Sequence, residues 1–250
     1  MKLQGKTAIV TGGGRGIGAS TAKELAAQGA NVIVNYVGNA AAAAEVVEEI
    51  KKAGGHAHAV QANVTVEADV QKLIDETLTH FGRLDILVSN ANMNFVRKPL
   101  EDMTWDEFSD KLNNELKAAF LLTKAVLPVM KEQRSGRLIY ITSGQGKNVT
   151  PGFIAHGTAK SGLNSFVRYV AKEVGPYGIT ANNVAPGLIE TDATSFYTDE
   201  ARQAIAANIP LGRLGQPDDL SKVIAFLASD DSKYMTGSYT SVNGGSLMDL

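Results

Sequence analysis

Apolar positions along the chain follow two alternating patterns. Short runs of aliphatic and β-branched residues predict strands at residues 7–10, 31–36, 56–61, 84–88, 137–142, 179–184 and 239–242. Between them lie amphipathic stretches that predict helices at residues 17–28, 40–52, 67–80, 105–131, 158–174 and 218–227. The run of five alanines at residues 40–44 belongs to the second of these and is strong helix-forming composition. Strands that alternate with helices imply a parallel sheet covered by helices on both faces. Right-handed crossovers then leave the doubly wound topology as the simplest solution. The expected architecture is α/β, a Rossmann-type, seven-stranded parallel sheet. No repeat, low-complexity tract or linker divides the sequence, so a single domain over residues 1–250 is expected.

Composition narrows the function classes. A hydrophobic fraction of 44% with 20% charged residues is ordinary for a globule with a large core. The formal net charge of −2 supplies no basic field for nucleic acid or anionic membrane, so neither is expected as a partner. Without cysteine there are no disulfides and no thiolate chemistry, which fits a reducing cytoplasm. The opening residues Met1 to Lys6 lack the apolar run of a signal peptide, and no apolar stretch is long enough to span a bilayer. The four histidines show no close spacing beyond His56 and His58, a pair expected at the surface, so no metal site is expected.

The first chemistry-bearing motif is Thr11-Gly12-Gly13-Gly14-Arg15-Gly16-Ile17-Gly18, placed between the first strand and the first helix. Glycines there permit a tight turn and let backbone N–H groups approach a pyrophosphate, which the helix N-terminus also attracts. Cofactor choice follows from charge. A carboxylate at the end of the second strand would bind the ribose diol of NAD and repel the 2′-phosphate of NADP. That end reads Val34-Asn35-Tyr36 and Arg15 stands in the phosphate turn, so NADP(H) is favoured over NAD(H).

The Thr-Gly-x-x-x-Gly-x-Gly form resembles the glycine turn of the short-chain dehydrogenase/reductase family, and the resemblance runs over nearly the whole chain. Asn63-Val64 stands where the family usually has Asp-Val at the adenine, and Ser89-Asn90-Ala91-Asn92 where it has Asn-Asn-Ala-Gly. Pro186-Gly187-Leu188-Ile189-Glu190-Thr191 looks like the segment that closes over the nicotinamide end. Gly212-Arg213-Leu214-Gly215-Gln216-Pro217 and Val242-Asn243-Gly244-Gly245 are similar to its C-terminal signatures. The motifs are most like those of 3-oxoacyl-carrier-protein reductases and related small ketoreductases.

The resemblance implies a nicotinamide-dependent oxidoreductase acting on a carbonyl/alcohol pair, a small molecule or an acyl thioester. It also carries over the family's catalytic positions, two of them changed. Ser143 and Lys160 stand where serine and lysine belong, His156 stands at the tyrosine, and Glu115 at the asparagine, with Asn113 and Asn114 adjacent. Histidine exchanges protons near neutrality, but its acid form is a cation that Lys160 opposes. Glu115, facing the site, would oppose Lys160 and restore the imidazolium, giving a reduction that rises toward about pH 6. His156 and Glu115 then form a matched replacement. Alternatively His156 only fills the tyrosine's space in a binding protein without turnover, or the pair does non-redox acid–base work such as dehydration or isomerisation.

Other residues carry lesser expectations. Thr104 caps the long helix and Trp105 packs behind it. Phe196 and Tyr197 lie in the region that forms the substrate lid in relatives, and Lys131 and Arg134 could meet an acidic carrier protein. Phe120, Leu121, Leu122 and Val126 on the long helix, with Phe166, Val167 and Val170 on the next, exceed what one buried face needs. Relatives assemble through these two helices, which implies a homotetramer.

Overall fold

The computed structural model describes residues 1–248; the last two of the expected 1–250 domain lie outside the described residues. The strands are β1 (Thr7–Val10), β2 (Asn31–Tyr36), β3 (His56–Gln61), β4 (Ile86–Ser89), β5 (Gly136–Ile141), β6 (Ile179–Pro186) and β7 (Tyr239–Val242). Among the described residues they form one seven-stranded sheet in the order β3-β2-β1-β4-β5-β6-β7, every neighbouring pair parallel.

Side chains alternate across a strand, so each strand feeds two cores. Val10, Val34, Val88 and Ile139 face α1 (Gly16–Ala27), α2 (Ala40–Lys52) and α7 (Pro217–Ala228). Ile9, Ile33, Leu87 and Leu138 face α3 (Glu67–Phe81), α4 (Trp105–Gln133) and α5 (Ile154–Val174). Because β1 lies between β2 and β4, the chain reverses its direction of travel across the sheet there. The carboxyl ends of β1 and β4 open the crevice in which such sheets bind ligands.

The structure corrects several expectations. Helix α5 begins at Ile154, so the motif carrying His156 is already helical. A short helix, α6 (Asp199–Ala207), escaped the apolar pattern because none of its residues is buried. Thr104 does cap α4, in a reciprocal capping box with Glu107, but Trp105 is 73% exposed and packs no core. Leu121, Leu122, Val126, Val167 and Val170 belong to the interior of this chain, which removes most of the apolar surplus assigned to assembly; Phe120 remains exposed. Lys131 and Arg134 lie over the Tyr177 ring, at 4.4 and 6.0 Å from its centroid. His56 is exposed, but His58 on β3 is half-buried and stacks on His80 of α3 at 3.7 Å, with Glu76 alongside. That grouping across a strand and a helix leaves no trace in the spacing of the histidines.

Candidate active site

The turn after β1 is tied to the turn after β4. The buried Thr11 hydroxyl donates to the Val88 carbonyl at 3.3 Å and accepts from the backbone N–H groups of Asn90 (2.9 Å) and Ala91 (3.0 Å). The Asn90 amide donates back to the carbonyls of Thr11 (2.9 Å) and Gly12 (3.3 Å). Gly18 is obligatory: a Cβ there would sit 2.2 Å from the Gly12 carbonyl oxygen. Gly16, at φ +52°, lies beneath Thr191, whose Cγ2 would be 3.2 Å from an added Cβ. Residues 186–191 therefore pack directly over the glycine turn, with Ile189 buried and bridged to Gly215, and Gly187 pressed on Asn243.

Helix α1 starts at Gly16 with Arg15 as its N-cap, exposed and without a side-chain capping bond. Its first N–H groups are left to a ligand beside Gly12, Gly14 and Ile17, and the helix dipole favours an anion there. A cradle that one methyl group would fill and an uncapped helix start fit a dinucleotide pyrophosphate.

Asn35 departs from its expected place. It is 1% exposed, donates to the carbonyls of Ala62 (2.9 Å) and Val60 (3.3 Å), and accepts from the Gly12 N–H at 3.3 Å. Its side chain braces β2, β3 and the glycine turn from inside and has no face open to a ribose. The Asn63 side chain likewise accepts from Thr65 in its own turn, and Val64 is buried, so a ligand would meet backbone there before side chain.

The candidate catalytic residues converge at the ends of β4 and β5. Ser143 follows β5, and its hydroxyl accepts from the Gln145 N–H at 3.2 Å. The start of α5 packs on this turn closely enough that a Cβ on Gly157 would lie 3.0 Å from the Gln145 carbonyl oxygen. His156 lies in the first turn of α5 and Lys160 one turn later on the same face. Asn113 and Asn114 are exposed, so Glu115 is the residue that α4 turns inward.

Glu115 is shared. It accepts from Lys160 Nζ at 2.6 Å and from Lys111 Nζ at 2.6 Å, all three side chains buried. Lys160 also donates to the Ile141 carbonyl (2.8 Å), and Lys111 to the Met93 carbonyl (2.7 Å) and Asn92 Oδ1 (3.3 Å). Burial alone would raise the Glu115 carboxyl, but the two ammonium groups outweigh it and hold it below the usual range. Lys111 was missed in the sequence, although its spacing of four from Glu115 on a helix is the signal that could have found it.

The His156 ring stacks on Phe95 at 4.5 Å, with Phe153 edge-on at 6.3 Å. Its Nδ1 is buried with no hydrogen-bond partner. Burial, then Lys160 and Lys111, push its pKa down to about 3, with Glu115 opposing them. The expected imidazolium near pH 6 is thus overturned: one carboxylate divided between two ammonium groups leaves a net positive field, and the imidazole is neutral.

Comparison with known proteins bears on the family and the fold. Residues 12–246 match the family model described as enoyl-(acyl carrier protein) reductase. The chain is 45% identical over 251 residues to a 3-oxoacyl-[acyl-carrier-protein] reductase of Synechocystis, covering 98% of each chain. It is 41% identical over 246 residues to the 3-oxoacyl-[acyl-carrier-protein] reductase FabG of Staphylococcus aureus, covering 97% of this chain and 98% of the relative. Among solved structures, a dehydrogenase/reductase of Sinorhizobium meliloti superposes with a TM-score of 0.91 at 36% identity, over 99% of this chain and 97% of its own. With the fold, the glycine turn and identity over nearly its whole length in agreement, the chain belongs to the short-chain dehydrogenase/reductase family of oxidoreductases.

Proposed function

We propose that this protein is an NADP(H)-dependent oxidoreductase acting on a carbonyl/alcohol pair, a ketone or 3-oxoacyl thioester and its alcohol. The observation that carries the reading is the buried charge cluster, which holds Lys160 one helical turn from an imidazole with an unpartnered nitrogen. A bound nicotinamide would supply or accept the hydride. Ser143 would hold the reacting oxygen by a hydrogen bond and Lys160 the ribose hydroxyls. In oxidation the neutral His156 accepts the hydroxyl proton as the hydride leaves; in reduction the imidazolium, formed by uptake of a proton from solvent and made strongly acidic by the positive field of Lys111 and Lys160, returns that proton to the oxygen as the hydride arrives.

Gly12, Gly14, Gly16, Ile17 and Gly18 would cradle the pyrophosphate, with Arg15 on the 2′-phosphate. Asn63 and Val64 would flank the adenine, Asn90 and Ala91 the central crevice, and Pro186, Gly187, Ile189 and Thr191 the nicotinamide end. Among the described residues no helix is long and apolar enough to cross a membrane, and a cytoplasmic setting fits the absence of cysteine. Phe120 and Tyr169, 52% and 71% exposed on the two long helices, support a homotetramer, which sedimentation would test; a monomer at micromolar concentration would overturn it.

The test of the function is NADPH consumption against a carbonyl panel by wild type and His156→Tyr. Turnover by wild type, lost in His156→Ala while NADPH still binds, is the expected result. Turnover by His156→Tyr alone would favour the second reading, a binding protein without catalysis. The weak basicity of His156 is the observation on that side.

A further inference from the structure

The loop after β4, the start of α5 and the segment after Thr191 meet above His156, and an arginine occupies the junction. The Arg97 guanidinium lies 4.7 Å from the centroid of Phe153, 4.8 Å from that of Phe196 and 5.6 Å from that of Phe95. Rings that take the faces of a guanidinium leave its five in-plane N–H donors free at the edge. Among the described residues the Arg97 side chain has no hydrogen bond and no carboxylate partner. The adjacent Lys98 takes the nearby carboxylate, Glu107, at 2.5 Å. Arg97 is therefore a fork-shaped cation, oriented by aromatic rings and left without its counter-ion.

Its surroundings add to the positive charge. Lys111 and Lys160 share the single carboxylate of Glu115, and His156 is neutral, so with Arg97 the site carries two positive charges in excess. Phe95 joins the two parts, since one ring contacts both Arg97 and His156. A thioester or simple ketone brings only a dipole to such a site and leaves the guanidinium to water. A carboxylate would accept two parallel N–H bonds from the fork, the strongest pairing open to arginine.

We propose that Arg97 is the anion-recognition residue of the substrate pocket, and that the substrate is a ketone or alcohol carrying a carboxylate, its apolar body lying among Phe95, Phe153 and Phe196. This rests on the reading above that the reacting oxygen sits at Ser143 and His156. Arg97 sets specificity and touches no reacting atom.

The experiment pairs acids with neutral isosteres. NADPH consumption is followed for phenyl-substituted 2-, 4- and 5-oxo acids and for their methyl esters, with wild type, Arg97→Gln and Arg97→Lys. Binding of non-reducible phenylalkanoates to the NADP⁺-loaded protein is measured in parallel by calorimetry, with thermal midpoints as a check that the variants fold. For at least one chain length the acid should exceed its ester in kcat/KM by about tenfold or more, the range of a charge-assisted pair. That ratio should fall toward one in Arg97→Gln through KM rather than kcat, with Arg97→Lys intermediate. Calorimetric affinity for the matching carboxylate should drop in step. Esters reduced as well as acids at every length, or a ratio unmoved by Arg97→Gln, overturns the proposal while leaving the oxidoreductase reading intact. Carboxylate binding that depends on Arg97 without turnover of any ketone upholds the anion site and defeats the hydride-transfer reading. Neither binding nor turnover overturns both.

Discussion

Acid should unfold this protein partly through one imidazole. His156 has a pKa of about 3 in the folded chain and near 6.5 once exposed, so between those values the unfolded chain binds a proton that the folded chain refuses. The sign follows directly. The His156 contribution is fully present above pH 6.5 and is lost as pH falls through the window toward 3. At pH 4.5 the unfolded imidazole is about 99% protonated and the folded one about 3%, which removes about 2.7 kcal/mol relative to pH 7.5. The limit below pH 3 is about 5 kcal/mol. With only 9% of His156 exposed, solvent screening does little to reduce these figures. Urea unfolding of wild type and His156→Gln at pH 7.5 and 4.5 isolates the effect, because the carboxylates that also titrate are common to both. The variant should lose about 2–3 kcal/mol less than wild type over that interval. Equal losses, or a ¹³C-labelled His156 ring that titrates near pH 6, would refute the reasoning and return the imidazolium to the site.

Three further outcomes are expected. Glu115→Gln should destabilise the fold by about 3–5 kcal/mol in urea, since it strands two buried ammonium groups without a counter-charge. Arg15→Ala should weaken NADPH about tenfold more than NADH, a differential of ~1.4 kcal/mol readable by cofactor fluorescence; equal losses would place the 2′-phosphate elsewhere. Gly18→Ala should abolish binding of either dinucleotide and lower the thermal midpoint, because its methyl group would meet the Gly12 carbonyl oxygen at 2.2 Å.

Much of this architecture could be read from periodicity, and the failures have identifiable causes. Strands β1, β2, β3 and β7 fall at the expected residues because their apolar runs end at glycine, proline or polar turns. Helix α5 began early because Ile154 and Ala155 sit behind Pro151 and Gly152, which masked its first turn. Helix α6 fully buries none of its residues, and its apolar side is alanine with the single Ile205, a stripe too weak to read. That Glu115, Lys160 and His156 face one another was legible, because these positions correspond to a family pattern even where the residue types differ. The protonation state of His156 was not, since it turns on burial against Phe95 and Phe153 and on Lys111, and both Phe95 and Lys111 are distant in sequence. Spacing identifies which groups meet; their relative burial, which decides the charge, emerges only from the packing.

The interior brace made by Asn35 bears on how cofactor preference can change. An aspartate at this position would bring a carboxylate against the carbonyl oxygens of Val60 and Ala62, where the present side chain donates. It would have no N–H with which to replace those bonds, and water cannot reach a site that is 1% exposed. The substitution that on paper converts a phosphate-tolerant pocket into a diol-binding one would therefore loosen β2 from β3 before it touched a ribose. A change toward NAD(H) would fall to the residues that follow, the half-buried Tyr36 and the exposed Val37, Gly38 and Asn39, and of these Asn39 already caps α2 through the Ala42 N–H. Under the proposed NADP(H) preference, exchange of cofactor thus moves from the strand interior to its end and to the lip of the crevice.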